Sequence, residues 1–194
     1  DLIRELAILN GKKEVNQEKS IKSTIIEWIK VFGLAIILAF VITLFIKPTL
    51  VRGDSMVPTL HENDYLIINR MVYRMGEPKN GDIIVFKSDL EATDGTNKDL
   101  VKRVIGVEGD KVVITNGQVY VNDKLLNEPY LSEGMDTEGE MEVTVPKGKL
   151  FVLGDNREVS LDSRYDKVGL VDVSDVEGKV FVRLYPFNDI SFIN

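Results

Sequence analysis

Hydrophobic positions follow two different patterns along this 194-residue chain. Near the N-terminus, the 16 residues from Val31 to Ile46 carry no charge and show no polar face apart from Thr43. A helix of that length spans roughly 24 Å, less than a ~30 Å hydrocarbon layer. Extension back to Ile25 gives 22 residues, enough to cross. We therefore predict one transmembrane helix over residues 25–46, after a polar tail over residues 1–24.

The residues that flank this segment help to distinguish a transmembrane helix from a core helix or a signal peptide, and they predict its orientation. A buried core helix should show a polar face, and a cleaved signal peptide should be followed by a small-x-small site. The sequence continues instead with Lys47-Pro48-Thr49. Six basic residues precede or flank the span within residues 1–30, and few follow it closely. Because basic flanks remain in the cytoplasm, we expect a cytoplasmic tail and an extracellular C-terminal part.

Beyond the helix, short β-branched runs alternate with turn residues. The dipeptide Asn116-Gly117 favours a type I′ hairpin turn, in which both central residues need a positive φ. We predict a mainly β, barrel-like, multi-sheet ectodomain in which the polar stretches 87–99 and 132–141 are exposed loops. The predicted strands are Tyr65–Ile68, Asp82–Phe86, Leu100–Gly106, Val112–Thr115, Gln118–Val121, Val143–Val145, Leu150–Leu153 and Lys179–Tyr185.

Composition excludes several kinds of partner. The net charge is −7, and residues 1–30 hold six basic and five acidic side chains, so the acidic excess lies in the ectodomain. An acidic ectodomain argues against nucleic acid as a partner. The chain has no cysteine, which excludes disulfides and thiolate metal sites. We find no metal or nucleotide motif and predict no cofactor.

Candidate chemistry begins at Ser55, nine positions after Ile46, where a short tether would hold a nucleophile close to the bilayer surface. The only histidine, His61, is the sole candidate for a histidine base, and a surface histidine in a turn is the plainer interpretation. A lysine base must be neutral, and burial favours that form. Lys102 lies inside an apolar strand, with Arg103 facing the opposite side. The residues leave open whether Lys102 is such a base or a solvated edge-strand charge.

A third polar segment follows the apolar strand Leu150–Leu153. It runs from Gly154 to Arg164 and is dense in Asp, Asn, Ser and Arg. Beside a buried strand, such side chains hold fixed hydrogen-bonded networks. The alternatives are a loop that supports a site and an ordinary polar loop.

Taken together and in this order, these segments resemble the type I signal peptidases, membrane-bound serine proteases that remove signal peptides from exported proteins. The resemblance extends from the membrane helix to Tyr185, and the single helix with a small ectodomain is similar to the Gram-positive branch. The motifs that carry it are Gly53–Leu60, Gly81–Val85, Lys102–Gly106 with Gly109-Asp110, Gly154–Arg157, Ser160 and Asp162–Arg164.

The resemblance implies a Ser-Lys dyad, with Ser55 as nucleophile and Lys102 as general base. It also implies a Ser55 N–H in the oxyanion hole, where Gly53 replaces the hydroxyl of Gram-negative relatives and leaves the second donor open. Met56 adds apolar surface beside the nucleophile. The remaining implied supports are a Ser160 hydroxyl that hydrogen-bonds and orients Lys102, an Asp162–Arg164 ion pair and an Asp155–Arg103 pair.

The same resemblance implies preprotein substrates with small residues at −1 and −3, and contact with the lipid bilayer. It suggests a catalytic β domain over residues 47–110 and 148–194, with a small β-rich cap over residues 111–147. One alternative is a membrane-anchored, non-enzymatic β-domain, or an inactive relative, that binds exported proteins. In that case Lys102 would be solvated and titrate normally.

Overall fold

The computed structural model describes residues 2–91 and 95–193, with side chains from residue 21 onward. One helix, α1, covers Leu2–Phe45. The helix therefore begins well before the predicted transmembrane segment 25–46 and ends one residue before the predicted end of that segment. Residues before the apolar segment are rich in Leu, Glu and Lys, which favour helix, and Ile46 begins a strand.

The apolar part of α1, Ile21–Phe45, is long and apolar enough to cross a membrane. Its large side chains, such as Trp28, Leu34 and Phe40, are more than half exposed. A core helix of a soluble protein would bury such side chains, so their exposure favours a membrane anchor over the core-helix alternative.

A second compact unit begins at Phe45 and contains the β-structure. The larger of its two sheets has eight strands in the order β1-β2-β11-β3-β4-β9-β10, with β12 beside β11, and the smaller has the order β7-β6-β5-β8. The strands are β1 Ile46–Leu50, β2 Tyr65–Asn69, β3 Ile83–Glu91, β4 Asn97–Gly106, β5 Lys111–Thr115, β6 Gln118–Val121, β7 Lys124–Leu125, β8 Met141–Thr144, β9 Lys149–Leu153, β10 Val171–Asp172, β11 Val176–Tyr185 and β12 Ser191–Phe192.

The mainly β class and every predicted strand are confirmed. Four strands were not predicted: β1, which directly follows the apolar span, and the two-residue strands β7, β10 and β12. Residues 87–91 and 97–99 are not loop but extend β3 and β4 as an exposed ribbon of mostly polar side chains. Pairing with a neighbouring strand, rather than apolar patterning, makes this ribbon extended.

The Asn116-Gly117 turn is confirmed, with φ of 50° and 76°. Its hairpin, β5–β6, lies at the centre of the smaller sheet, which falls within residues 111–147. The division of the ectodomain into a catalytic part and a cap remains a prediction, since the two sheets belong to one compact unit.

The strand β4 positions the site through its two different edges. One edge pairs with β3, where Lys102 faces Ile84. The other edge pairs with β9 only from Arg103 onward. Within the described residues, the outer edge of Asn97–Lys102 therefore has no strand partner. An open edge with free backbone N–H and C=O groups is available to an added chain.

Candidate active site

A groove of about 870 Å³ runs along this open edge of β4. Residues 97–102 line it together with residues 49–53, and Ser55 and Lys102 both face into it. The segment that carries Ser55 is fixed by the side chains that follow, since Met56 and Leu60 are buried in a core cluster with Val51. Met56 is thus a core residue beneath the groove, only 1% exposed.

Ser55 and Lys102, 47 residues apart in sequence, are brought into direct contact. The Lys102 Nζ donates a hydrogen bond of 2.7 Å to Ser55 Oγ and another of 3.1 Å to the Val101 carbonyl. Neither acceptor is a carboxylate. The alternative of a solvated edge-strand lysine is wrong, because the Lys102 residue is 2% exposed.

Burial lowers the pKa of the Lys102 ammonium from its ordinary 10.5 to about 8. Removal from water disfavours the charged form, and this effect is the largest. The carboxylates of Asp162 and Asp155 act in the opposite direction through their charge. With a pKa of about 8, this lysine is neutral in about half of the molecules near pH 8 and in a minority of them at pH 7.

Gly154 lets the polar loop approach Ser55 closely. A Cβ placed on it would fall within 3.0 Å of the Ser160 Oγ and of the Ser55 carbonyl oxygen. The Ser55 carbonyl in turn accepts a 3.0 Å hydrogen bond from the Asn156 N–H. Only glycine fits between these two serines.

The expected hydrogen bond between Ser160 and Lys102 is not formed. The Ser160 hydroxyl is buried and has no hydrogen-bond partner among the described residues. The physical reason is that the Lys102 donors go to Ser55 Oγ and the Val101 carbonyl instead. A buried hydroxyl without a hydrogen-bond partner is uncommon in folded proteins.

Arg103, on the opposite face of β4, forms the expected pair with Asp155. Its Nε and Nη2 donate to the two carboxylate oxygens at 2.8 Å and 2.7 Å, and both side chains are buried. Its guanidinium lies 3.8 Å from the centre of the Tyr130 ring, and its Nη1 donates to the Gly81 carbonyl. The Thr59 hydroxyl also donates to Asp155.

The expected Asp162–Arg164 pair is present as well. Arg164 donates from Nε and Nη2 to the Asp162 carboxylate at 2.8 Å and 3.0 Å. Asp162 is fully buried and also accepts the Gly154 N–H at 3.1 Å. Arg164 Nη2 further binds the carbonyls of Arg157 and Ser160, so the pair holds the loop that carries Ser160.

The two remaining candidates, His61 and Gly53, take no part in the hydrogen bond between Lys102 and Ser55. His61 is exposed, and its backbone N–H donates to Asp64 in the turn that follows. Among the described residues no contact joins its imidazole to Ser55, so it has the position of a surface histidine. Gly53 has a φ of 79°, and open space surrounds its Cα. Within the described residues, the Ser55 N–H donates no hydrogen bond.

Sequence analysis assigned no role to Arg157, which is the largest fully buried side chain. Its guanidinium donates to the Gly154 carbonyl at 3.0 Å and binds Glu128 and Thr137. It thereby joins the residue 128–137 segment to the loop beside Ser55. The position of Arg157 in the Gly154–Arg157 motif could have indicated that it has a role. Nothing in the sequence marks Glu128 and Thr137 as its partners.

Comparisons with known proteins show which family this chain belongs to. A family model described as "Signal peptidase, peptidase S26" matches residues 25–185. The signal peptidase I of Bacillus licheniformis is 40% identical over 188 residues, which cover 91% of this chain and 98% of that protein. Signal peptidase IB of Staphylococcus aureus strain MRSA252 is 38% identical over 189 residues, covering 88% and 95%. A crystal structure of a signal peptidase I from Enterococcus faecalis is 32% identical, covers 54% of this chain and 97% of that one, and has a TM-score of 0.44.

The matched span and the two long alignments define the class of protein as a serine peptidase. The chain belongs to the signal peptidase family, peptidase S26. The resemblance seen in the motifs is thereby confirmed, and the alternative of a non-enzymatic binding domain is not favoured. The apolar helix fits the membrane anchor of such a peptidase.

Proposed function

We propose that this membrane-anchored peptidase cleaves N-terminal signal peptides from exported preproteins with Ser55 as nucleophile and Lys102 as general base. The observation that carries the assignment is the 2.7 Å contact between Lys102 Nζ and Ser55 Oγ. Burial supports it, because a lysine with a pKa of about 8 has a neutral form able to accept a proton. The family supports the substrate class.

The reaction is a two-step acyl transfer. Neutral Lys102 takes the Ser55 proton while Oγ attacks the scissile carbonyl carbon, and the resulting ammonium gives that proton to the leaving amine as the C–N bond breaks. Lys102, neutral again, then takes a proton from water, whose oxygen attacks the acyl ester. That proton returns to Ser55 Oγ when the ester bond breaks.

The groups around Lys102 are compatible with these proton transfers. The ammonium formed during catalysis has three N–H donors, and Ser55 and the Val101 carbonyl account for two acceptors. We assign the third to the Ser160 hydroxyl, whose oxygen is otherwise unpartnered. Asp162 and Asp155 are already bound by arginines, so they favour the ammonium through their charge without capturing it.

The oxyanion of the tetrahedral intermediate needs hydrogen-bond donors. The Ser55 N–H is free for this role within the described residues, and Gly53 offers no side-chain donor. We therefore assign the second donor to a backbone group or a water molecule. A missing donor of this kind costs about 3–4 kcal/mol in the transition state.

The substrate is proposed to bind as an extended chain along the open edge of β4. Backbone hydrogen bonds to Asn97–Lys102 would provide sequence-independent affinity. In an extended chain the −1 and −3 side chains face the same side. If that side faces the groove, shallow apolar pockets formed beside Met56 and Val85 would reject larger side chains at these two positions.

The charge pattern supports a single-pass topology with the N-terminus in the cytoplasm and the catalytic part on the extracellular side. In this arrangement, residues 1–24 are the cytoplasmic part, residues 47–110 and 148–194 form the catalytic domain, and residues 111–147 form the cap. Protease accessibility of the two termini in intact cells tests this orientation.

The decisive experiment is cleavage of a model preprotein with an Ala-x-Ala site by the full chain in detergent micelles. Ser55→Ala should abolish cleavage, and Lys102→Met should reduce kcat by about 10³-fold or more, because the buried base is lost. Lys124→Met, which changes an exposed lysine in the smaller sheet, is the matched control and should retain full activity. Retained activity in Lys102→Met would refute the base assignment, and no cleavage by wild type would refute the function.

A further inference from the structure

A second cleft, separate from the Ser55 groove, has a volume of about 610 Å³. It lies in the sheet unit, between the 3-10 turn that follows β2 and the segment that leads into β11. The residues that line it are Arg70, Tyr73, Arg74, Lys87, Val173, Ser174, Asp175, Val176 and Glu177. The function proposed above uses none of them.

Three cations face this cleft without an acidic partner. Arg70, Arg74 and Lys87 are exposed, and within the described part of the chain no carboxylate lies in ion-pair range of them. Of the two carboxylates that line the cleft, Glu177 is bound by Lys47, so only Asp175 is uncommitted. An uncompensated cluster of this sign is a local exception in a chain with a net charge of −7.

The donor set fits a phosphate group. Arginine presents a planar fork of N–H donors that matches the oxygens of a phosphate, and lysine adds a compact positive charge. The Ser174 side chain is also exposed and adds a hydroxyl at the cleft. The Tyr73 hydroxyl is committed to Asp82, so its contribution is the ring that closes the cleft.

The position along the chain identifies the source of that phosphate. The Arg70 N–H donates a 2.9 Å hydrogen bond to the carbonyl of Phe45, the last residue of α1. The apolar part of α1 also ends at Phe45, and a spanning helix leaves the hydrocarbon at the level of the lipid headgroups. Arg70, the first of these three cations along the chain, is therefore hydrogen-bonded through its backbone to the residue at which the apolar helix ends.

We propose that this cleft binds the phosphate of an anionic phospholipid headgroup. A protein with an acidic ectodomain is repelled by an anionic leaflet, and a local basic cleft at the membrane end overcomes this repulsion. Free phosphate shares the chemistry, and the test distinguishes the two sources. The site is independent of the Ser55–Lys102 assignment, and its readout does not use peptide cleavage.

The test measures Tm by circular dichroism for the full chain in neutral detergent micelles. Dihexanoyl phosphatidylglycerol is titrated in, with dihexanoyl phosphatidylcholine and inorganic phosphate in parallel, because a ligand that binds only the folded state raises Tm. The cleft variant combines Arg70→Gln, Arg74→Gln and Lys87→Gln. The control variant removes the same charge at three exposed lysines elsewhere and combines Lys124→Gln, Lys147→Gln and Lys167→Gln.

Phosphatidylglycerol should raise the Tm of wild type and control by about 3 °C, and that of the cleft variant by less than about 1 °C. Equal rises in cleft and control variants, or no rise in wild type, would overturn the proposal. Inorganic phosphate that reproduces the rise at equal concentration would overturn the lipid source. If the cleft variant is unfolded without lipid, Arg74→Gln alone carries the test, and an unchanged half-saturation concentration of phosphatidylglycerol would refute the site.

Discussion

Lys102 and Arg103 are neighbours on β4, yet the two faces of this strand give them opposite electrostatic surroundings. Both residues are buried, at 2% and 5% exposure. Arg103 donates two hydrogen bonds to the Asp155 carboxylate, whereas the hydrogen bonds of Lys102 Nζ within the described residues go to the Ser55 hydroxyl and the Val101 carbonyl. Burial lowers the pKa of Lys102 to about 8. The Asp155 carboxylate compensates the buried positive charge on the arginine face, whereas on the lysine face no carboxylate in direct contact offsets the desolvation of the ammonium.

The two faces are also linked. Asp155 binds Arg103 directly and acts on Lys102 only through its charge, which raises the lysine pKa against the effect of burial. Gly154, the residue before Asp155, lies against Ser160 and the Ser55 carbonyl on the lysine face. Changes at these two positions therefore separate what each face contributes.

Gly154→Ala should have the largest effect on peptide cleavage. The added methyl group would overlap the Ser160 Oγ and the Ser55 carbonyl, so the backbone at Ser55 or the loop that carries Ser160 must shift. A displacement of this size costs about 10²-fold in kcat/KM, measured with the model preprotein. The control is Gly109→Ala, at a φ of 87° with nothing within 4 Å, which should lose only about 1 kcal/mol of stability. Activity of Gly154→Ala within tenfold of wild type would contradict the close approach.

Asp155→Asn removes the charged partner of Arg103, and its expected effect is on stability. It leaves the buried Arg103 guanidinium without a charged partner, which destabilises the fold by about 3–5 kcal/mol in denaturant titration. The matched control is Asp172→Asn, which removes a half-exposed partner of Lys149 and should cost less than about 1 kcal/mol. Equal losses in the two variants would show that the buried pair contributes no more than a surface pair.

The smallest effect concerns the pH at which Lys102 titrates. Since the neutral lysine is the proposed base, kcat/KM should rise with pH through about 8 and level off above it. Asp162→Asn removes a charge that raises the lysine pKa, so the midpoint of this rise should move to lower pH. A pH–rate profile measures the shift, and a midpoint that moves upward would contradict the electrostatic assignment.

Stability provides an independent reading of the same titration. The pKa of Lys102 is lower in the folded state, about 8, than the ordinary 10.5 of an unfolded chain. Between these values the unfolded state binds more protons, so this group increases the free energy of unfolding as pH rises from 8 to 10.5. Comparison with Lys102→Met isolates the contribution, because every other titratable group is the same in the two proteins. Identical pH dependence in both proteins would refute the lowered pKa.

Local patterns predicted most of the fold. The apolar segment, the β-branched runs and Asn116-Gly117 each determine a conformation through neighbours in sequence, and each was found. The strands β1, β7, β10 and β12 and the polar ends of β3 and β4 were missed. Polar residues such as Lys87 and Asp99 become extended through pairing with each other across the sheet. Such pairing depends on register between distant segments, which a single stretch of sequence does not encode visibly.

The candidate site was foreseen as a set of residues but not as a geometry. The motifs contain Ser55, Lys102 and the two ion pairs, whereas the unpartnered Ser160 hydroxyl and the buried Arg157 emerged only when the loop was placed. The family, the apolar anchor and the mainly β class follow from the amino-acid sequence alone, because motif order and local periodicity encode them. The burial of Lys102 against Ser55 without a carboxylate in contact depends on the folded chain, because solvent exclusion and charge separation arise from packing between residues far apart in sequence.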